Sequence, residues 1–379
     1  MNVLKIAVTG LPLFAGKIEF NFFAQQRVSA EARESMHHLF SNHYQNNVLS
    51  VIGINASGKT TLLKVIAFAL RLLKNEPINT IDSLEIFSGL EEDEHVTFDL
   101  FFYADDNTVN KLHTVLYRRE NRLIIGEEQL FSKPETTIKN KRNLLDFSTL
   151  TASLTRDQEE EFLLDDVSII VAFNKTRTQQ VMITDMLRYT NNNLLPLRGD
   201  IPPELIAFFD PSIEYLSYSS AEKEAPICLK FRGKDEILLQ HASELNRYLS
   251  SGTIKGIHIF MQSMKLFKSG GYLIIDEMEN HLNKEIISTL IRFYMDKTIN
   301  TKGAVLVFST HYAELLDEFN ANDNIYIVRN RAGITVDNLA TLLTRNDIKK
   351  SDAYQSSLLD GTAPLYESYM KLRNALKRC

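Results

Sequence analysis

Eight consecutive residues, Gly53-Ile54-Asn55-Ala56-Ser57-Gly58-Lys59-Thr60, fit the spacing G-x-x-x-x-G-K-[ST]. Its chemistry is triphosphate binding. Glycines let backbone N–H groups turn inward on phosphate oxygens, and the helix that follows adds the positive end of its dipole. Lys59 is placed to reach the β- and γ-phosphates and Thr60 to ligate Mg²⁺, with Gly53, Asn55, Ala56, Ser57, Gly58 and Thr61 completing the cradle. A second group sits far along the chain, where Tyr272-Leu273-Ile274-Ile275 ends in two acids, Asp276 and Glu277. Asp276 is expected to hold the metal, directly or through water, and Glu277 to polarise the attacking water in line with the γ-phosphate. A second apolar run, Leu306-Val307-Phe308-Ser309-Thr310, ends at His311, 34 residues beyond Glu277. Between the two groups, Ser250-Ser251-Gly252 opens a helix, and a serine with a glycine at a helix N-terminus forms an anion site. Triphosphate binding and hydrolysis is the chemistry that these residues share.

The elements that must position them are legible nearby. Val48–Ile52 is apolar and β-prone, and the residues after Thr60 repeat their apolar positions at helical spacing. Strand, glycine loop and helix is the context the phosphate cradle requires. From Ser243 onward helices alternate with strands: a helix over roughly 252–267, a strand at Tyr272–Ile275, a helix over roughly 282–295, a strand at Ala304–Ser309, a helix near 312–319 and a strand at Asn324–Val328. That alternation argues for a parallel sheet covered on both faces, whose strand C-termini face the binding crevice and bring His311 to the γ-phosphate.

The remainder reads in four blocks. Residues 1–132 form a first lobe, with strands at Leu4–Val8 and Ile18–Phe23, a polar loop or short helix over 24–46 carrying surface histidines His37, His38 and His43, and an antiparallel sheet from His95–Tyr103, His113–Tyr117 and Arg122–Ile125. Residues 133–242 form an inserted, mainly helical region with returning strands at Ile213–Leu239. Residues 243–330 are the second lobe, and 331–379 a helical extension whose amphipathic segment Tyr354–Lys377, broken at Gly361-Thr362-Ala363-Pro364, either docks a partner or closes the core.

Composition narrows the class. The 379 residues are 44% hydrophobic and 24% charged, enough for a substantial core. A net charge of −6 offers no global field for nucleic acid, so any such contact needs a local patch. The short basic clusters, Arg118-Arg119, Lys139-Asn140-Lys141-Arg142 and Lys377-Arg378, read as solvated surface. Two cysteines, Cys228 and Cys379, support neither a disulfide framework nor a zinc ribbon and suit a reducing cytosol. No apolar run approaches membrane length and the first residues read as a strand, so a cytoplasmic protein with no membrane partner is expected.

Taken together, the glycine loop, Leu249-Ser250-Ser251-Gly252-Thr253, the strand ending Asp276-Glu277 and the strand ending at His311 resemble the ABC-type ATPase set: Walker A, signature, Walker B with a catalytic glutamate, and switch histidine. The flavour is similar to the stand-alone RecF/SMC/OLD-like branch and not to transporter cassettes. The signature reads Leu-Ser-Ser-Gly-Thr, about 190 residues separate Lys59 from Ser250, and Asp276-Glu277-Met278-Glu279-Asn280-His281-Leu282 resembles the D-E-x-E-N-x-L run of that branch's AAA-like ATPases. The match is firm over about 50–70 and 245–320. Many such proteins are ATPase components of bacterial anti-phage systems, including retron and Septu ATPases, PARIS AriA and the OLD nucleases.

The resemblance implies a fold and a mechanism. The fold is an α/β ABC-type P-loop NTPase with an antiparallel β subdomain, a central mixed sheet flanked by helices, and a helical insertion. Two protomers, or a higher homo-oligomer, would sandwich ATP and Mg²⁺ head to tail. Each γ-phosphate would meet Lys59, Thr60, Asp276, Glu277 and His311 of one subunit and Ser250, Ser251 and Gly252 of the other, with 279–283 as the D-loop. A Mg²⁺-sensing glutamine is expected, with Gln129 a weakly placed candidate. Only 68 residues follow His311, without a D-x-D motif, and no H-N-H or PD-(D/E)xK cluster occurs, so no nuclease is expected in this chain. The implied role is the sensor and regulatory subunit of a defence complex, triggered by DNA or a phage protein, whose effector (a nuclease or toxin) is a separate chain. A RecF/SMC-like DNA-repair or DNA-organising ATPase is the alternative.

Overall fold

In the computed structural model, the described residues are all of 1–379 except 93, 157–162, 176–179, 192–194, 196–200, 219–226, 344, 346–347, 357–358, 360–361, 363–365 and 378–379. The helix break proposed at 361–364, save Thr362, lies outside them, as do Arg378 and Cys379.

Two six-stranded sheets enclose the helix Lys59–Leu73. One is central, in the order Ile183–Asp185, Tyr272–Ile275, Val305–Thr310, Val48–Ile52, Ile325–Asn330 and Ile334–Asn338. Its pairings are parallel except the last, which is antiparallel. The other sheet is antiparallel: Ile18–Asn21, Asn2–Thr9, His95–Tyr103, Thr108–Arg119, Arg122–Pro134 and Leu154–Thr155. The first turn, Asp105-Asp106-Asn107, and the second, Glu120-Asn121, carry their positive φ values at Asn107, Glu120 and Asn121.

Alternation along the central strands assigns their side chains to two cores. Leu49, Val51, Ile274 and Val307 face the helix Lys59–Leu73 and the antiparallel sheet. Val48, Ile52, Leu273, Ile275, Leu306 and Phe308 face the helices Ser251–Ser269 and Lys284–Met295. Because both faces are covered, these strands read as continuous apolar runs, which explains why the sequence locates them so well. Two buried tyrosines tie the layers together. The Val3 amide donates to the Tyr272 hydroxyl at 2.6 Å and the Asn21 amide to the Tyr326 hydroxyl at 2.7 Å.

Several segments depart from expectation. His37, His38 and His43 do not lie on a loop or short helix. They lie on the hairpin Met36–Phe40/His43–Asn46, turned at Ser41 with φ 46°. His43 is buried, its ring stacked on Phe40 at 4.6 Å, because an imidazole packs as an aromatic when a ring faces it. The stretch 133–242 is mixed among its described residues rather than mainly helical. Its helices are short (Lys141–Leu144, Ile170–Lys175, Pro203–Phe209), and the strand Ile183–Asp185 extends the central sheet beside Tyr272–Ile275. Within 331–379, Ile334–Asn338 is a sheet strand, not part of a helical extension. The last helix, Tyr366–Leu376, buries no residue and leaves Tyr366, Tyr369, Leu372 and Leu376 exposed, so it does not close the core. Among the described residues no helix is long and apolar enough to cross a membrane.

The segment after Arg122–Pro134 is fastened to that sheet by Glu128, which is 1% exposed. Its carboxylate accepts from Thr114 Oγ1 at 2.8 Å, Ser168 Oγ at 2.6 Å and the Ile169 amide at 2.7 Å, with the Arg156 guanidinium 3.8 Å away. Burial pushes this carboxyl above its ordinary value, against the pull of those donors. Replacing Glu128 by alanine leaves buried donors without an acceptor, and denaturant unfolding is expected to show a loss of roughly 3 kcal/mol.

Candidate functional site

The glycine loop emerges from the C-terminal end of Val48–Ile52, beside the ends of Tyr272–Ile275 and Val305–Thr310. Gly58 caps the following helix with φ 101°, a conformation that a side chain resists. Ala56 also has positive φ, at 60°. Among the described residues no backbone carbonyl accepts from the N–H groups of Gly58, Lys59 or Thr60. These are the free donors of a helix first turn and suit an anion. Ser57 is buried and its hydroxyl has no partner, while Asn55 is exposed and Thr61 half-buried.

Lys59 folds back over its own loop. Its ammonium donates to the carbonyls of Gly53 at 3.0 Å and Ile54 at 3.3 Å, and lies 3.1 Å from His311 Nε2. An ammonium has only protons to give, so Nε2 is the accepting nitrogen of that ring. Burial lowers the Lys59 pKa, and Asp276, Glu277 and Glu279 oppose the shift. Thr60 Oγ1 donates to Asp276 Oδ2 at 2.6 Å. Two hydrogen-bonded pairs, Lys59–His311 and Thr60–Asp276, thus bring the distant Asp276 and His311 to the start of the helix Lys59–Leu73.

Four further residues surround these pairs: Glu279 and Asn280, expected in the D-loop, and Ser309 and Lys255, which had no expected role. Ser309 Oγ donates to Asp276 Oδ1 at 2.5 Å and accepts from the Glu277 amide at 2.8 Å. The Glu277 backbone is held at φ 45°, a strained conformation for a non-glycine residue that concentrates at functional sites. Glu279 Oε1 accepts from the His311 amide at 2.6 Å, and its other oxygen is buried without a partner. Asn280 and Lys255 both donate to the Thr190 carbonyl, at 2.8 and 3.2 Å, linking the turn after Glu277 and the helix Ser251–Ser269 to the sheet edge. Of the two without an expected role, Ser309 was the one within reach of sequence reasoning, since strand alternation puts it on the same face as His311.

Ser250, Ser251 and Gly252 are placed differently. Ser250 Oγ caps the helix, accepting from the Thr253 amide at 3.0 Å. Ser251 Oγ lies 3.1 Å from His281 Nδ1, and Gly252 packs against the His281 carbonyl. Among the described residues no hydrogen bond joins these three to the glycine loop. Gln129 sits inside the strand Arg122–Pro134, paired with His113 and Thr155, and among the described residues no hydrogen bond joins it to the loop.

The oxygen donors Thr60 and Asp276, 2.6 Å apart beside free amides, fit a hard divalent cation carried in with a triphosphate. Among the described residues no cluster of three His, Cys, Asp or Glu side chains offers another metal site. A Cβ on Gly53 would overlap both the Val328 carbonyl and the Ser57 hydroxyl. Gly53→Ala is therefore expected to weaken triphosphate binding by about tenfold or more, measured by calorimetric titration, because the loop must shift to make room.

A parallel central sheet with this loop at its switch point defines a P-loop ATPase of ABC/AAA-like type. Residues 48–317 match the protein family described as "AAA domain, putative AbiEii toxin, Type IV TA system", and the chain belongs to that family. Comparison with curated proteins found no match. Among solved structures, the chain is similar to the SMC head domain from Thermotoga maritima, with 12% identity, coverage of 88% of this chain and 98% of that one, and a TM-score of 0.42.

Proposed function

We propose that this protein is an ATPase that hydrolyses ATP at head-to-tail protomer interfaces and serves as the sensor and regulatory subunit of a cytoplasmic bacterial anti-phage complex, controlling a separately encoded nuclease or toxin. One observation carries the catalytic part: the pair Lys59–His311 and the trio Thr60–Asp276–Ser309 meet at the glycine loop, with Asp276 acting electrostatically on the Lys59 ammonium, while among the described residues no hydrogen bond joins Ser250, Ser251 or Gly252 to them. A second protomer would bring its Ser250 and Gly252 amide end to the γ-phosphate.

Within such a site, Lys59 exchanges its loop carbonyls for phosphate oxygens. Thr60 and Asp276 supply oxygen ligands for Mg²⁺, which neutralises phosphate charge when bound. Glu277 accepts the proton of the attacking water, and His311, steered by Glu279 through its amide, contacts the γ-phosphate. Binding closes the protomers and hydrolysis releases them, so the output is a change of assembly. The family description, with its mention of a toxin and a Type IV TA system, supports a system with a toxic output. Purification of the native complex tests the role. A co-purifying nuclease or toxin is expected, whereas duplex DNA as the sole companion replaces this reading with a RecF/SMC-like DNA-repair ATPase.

A further inference from the structure

A cavity of about 370 Å³ opens between the loop after Phe23 and the hairpin Met36–Phe40/His43–Asn46. Arg27, Arg33 and Lys141 line it with Gln25, Asn42 and Tyr44, and no carboxylate does, in a chain whose net charge is −6. Arg27 and Arg33 are exposed, and among the described residues neither forms an ion pair. Arg33 lies 5.8 Å over the Tyr44 ring. Lys141 forms the wall, its ammonium donating to the carbonyls of Ala24 at 2.6 Å and Gln26 at 2.5 Å. Gln25 Nε2 is a buried donor with no partner. The nearby carboxylate, Asp323, is not part of the lining; it accepts from the backbone N–H groups of Gln25 and Gln26 and acts electrostatically on Lys141, which leaves the charge of Arg27 and Arg33 to the cavity.

We infer that this cavity binds the phosphate group of a nucleotide, free or within a nucleic-acid strand. Two unpaired guanidinium forks match phosphate oxygens, and the exposed side-chain amide of Asn42 can donate to or accept from a base or sugar. The volume suits about one nucleotide. The site is separate from the glycine loop, since no residue of 53–60 lines it. It is also mechanically joined to it. The Ala24 amide donates to the Tyr44 carbonyl and the Asn46 amide to the Phe22 carbonyl, and Asn46 leads directly into Val48–Ile52. Occupancy of the cavity therefore bears on the strand that ends in the glycine loop.

The test is fluorescence anisotropy with a labelled single strand of about 20 nucleotides, titrated against the wild type, Arg27→Gln/Arg33→Gln and Lys59→Ala. The double variant is expected to bind about tenfold more weakly and, between about 50 and 200 mM salt, to show a log–log slope flatter by about 1.4, while Lys59→Ala binds as the wild type does. Circular dichroism of the double variant, whose altered side chains are both exposed, verifies that it folds. An AMP titration then separates the sources. Displacement of the strand by AMP, with AMP binding lost in the double variant, identifies a free nucleotide; failure of AMP to displace the strand identifies nucleic acid. Unchanged affinity and slope in the double variant, or binding lost only in Lys59→Ala, overturns the inference.

Discussion

Glu277→Gln is expected to slow ATP hydrolysis by about 10²- to 10⁴-fold, the contribution of a positioned general base, while leaving ATP binding intact. The structure separates the two effects. The Glu277 main chain is fixed independently of its side chain, by the amide bond to Ser309 Oγ at 2.8 Å and by the Met278 amide bond to the Ser309 carbonyl at 3.0 Å. Its carboxylate has no hydrogen-bond partner among the described residues, so glutamine of the same shape breaks nothing structural. What is lost is the capacity to take a proton from water. Phosphate release measures the first effect, and light scattering with and without ATP measures the second, an accumulated ATP-bound assembly. Turnover at the wild-type rate excludes Glu277 as the base. Bound ATP with no gain in mass over the ATP-free variant excludes nucleotide-driven closure, unless the ATP-free protein is already a constitutive oligomer.

Legibility in the sequence followed the range of the interactions involved. The strand Tyr272–Ile275 and the unit Val48–Leu73 were readable because burial on both faces forces continuous apolar runs, and because phosphate binding requires glycine and lysine at fixed spacing. The hairpin at 36–46 was not. Its strands are five and four residues long, and His38 and His43 carry no hydropathic signal until Tyr44 and Phe40 supply rings to pack on. The same holds for 133–210, where distant partners override local preference: Arg156, outside any helix, is drawn to Glu128, and Lys141 opens a helix of only four residues while the carbonyls of Ala24 and Gln26 hold its ammonium. Lys141, expected on a solvated basic surface, is half-buried structural wall. Ile183–Asp185 is a strand only because Tyr272–Ile275 offers it an edge. At the site, motif residues including Glu279 were legible, whereas Lys255, which ties its helix to the Thr190 carbonyl, follows no spacing rule.

Mixing two inactive variants tests the composite site most directly. Lys59→Ala is expected to abolish hydrolysis by removing the phosphate-binding ammonium, and Ser250→Arg by filling the anion end of the helix Ser251–Ser269 with a bulky side chain. Neither change should unfold the protein. The contacts of Lys59 are to its own loop and His311, and losing the Ser250 cap costs about 1 kcal/mol. In a head-to-tail dimer, a mixed pair places the intact glycine loop of the Ser250→Arg protomer against the intact Ser250 and Gly252 of the Lys59→Ala protomer. An equal mixture forms mixed pairs about half the time, each with one sound site of two, so about a quarter of the wild-type rate should return. A site complete within one protomer cannot be rescued in this way. If the mixture stays inactive while both variants fold and associate, the helix end at Ser250 does not act across the interface; if Ser250→Arg alone hydrolyses ATP at the wild-type rate, it is not part of the site. Recovery near one quarter would assign Lys59 and Ser250 to opposite subunits of the same ATP.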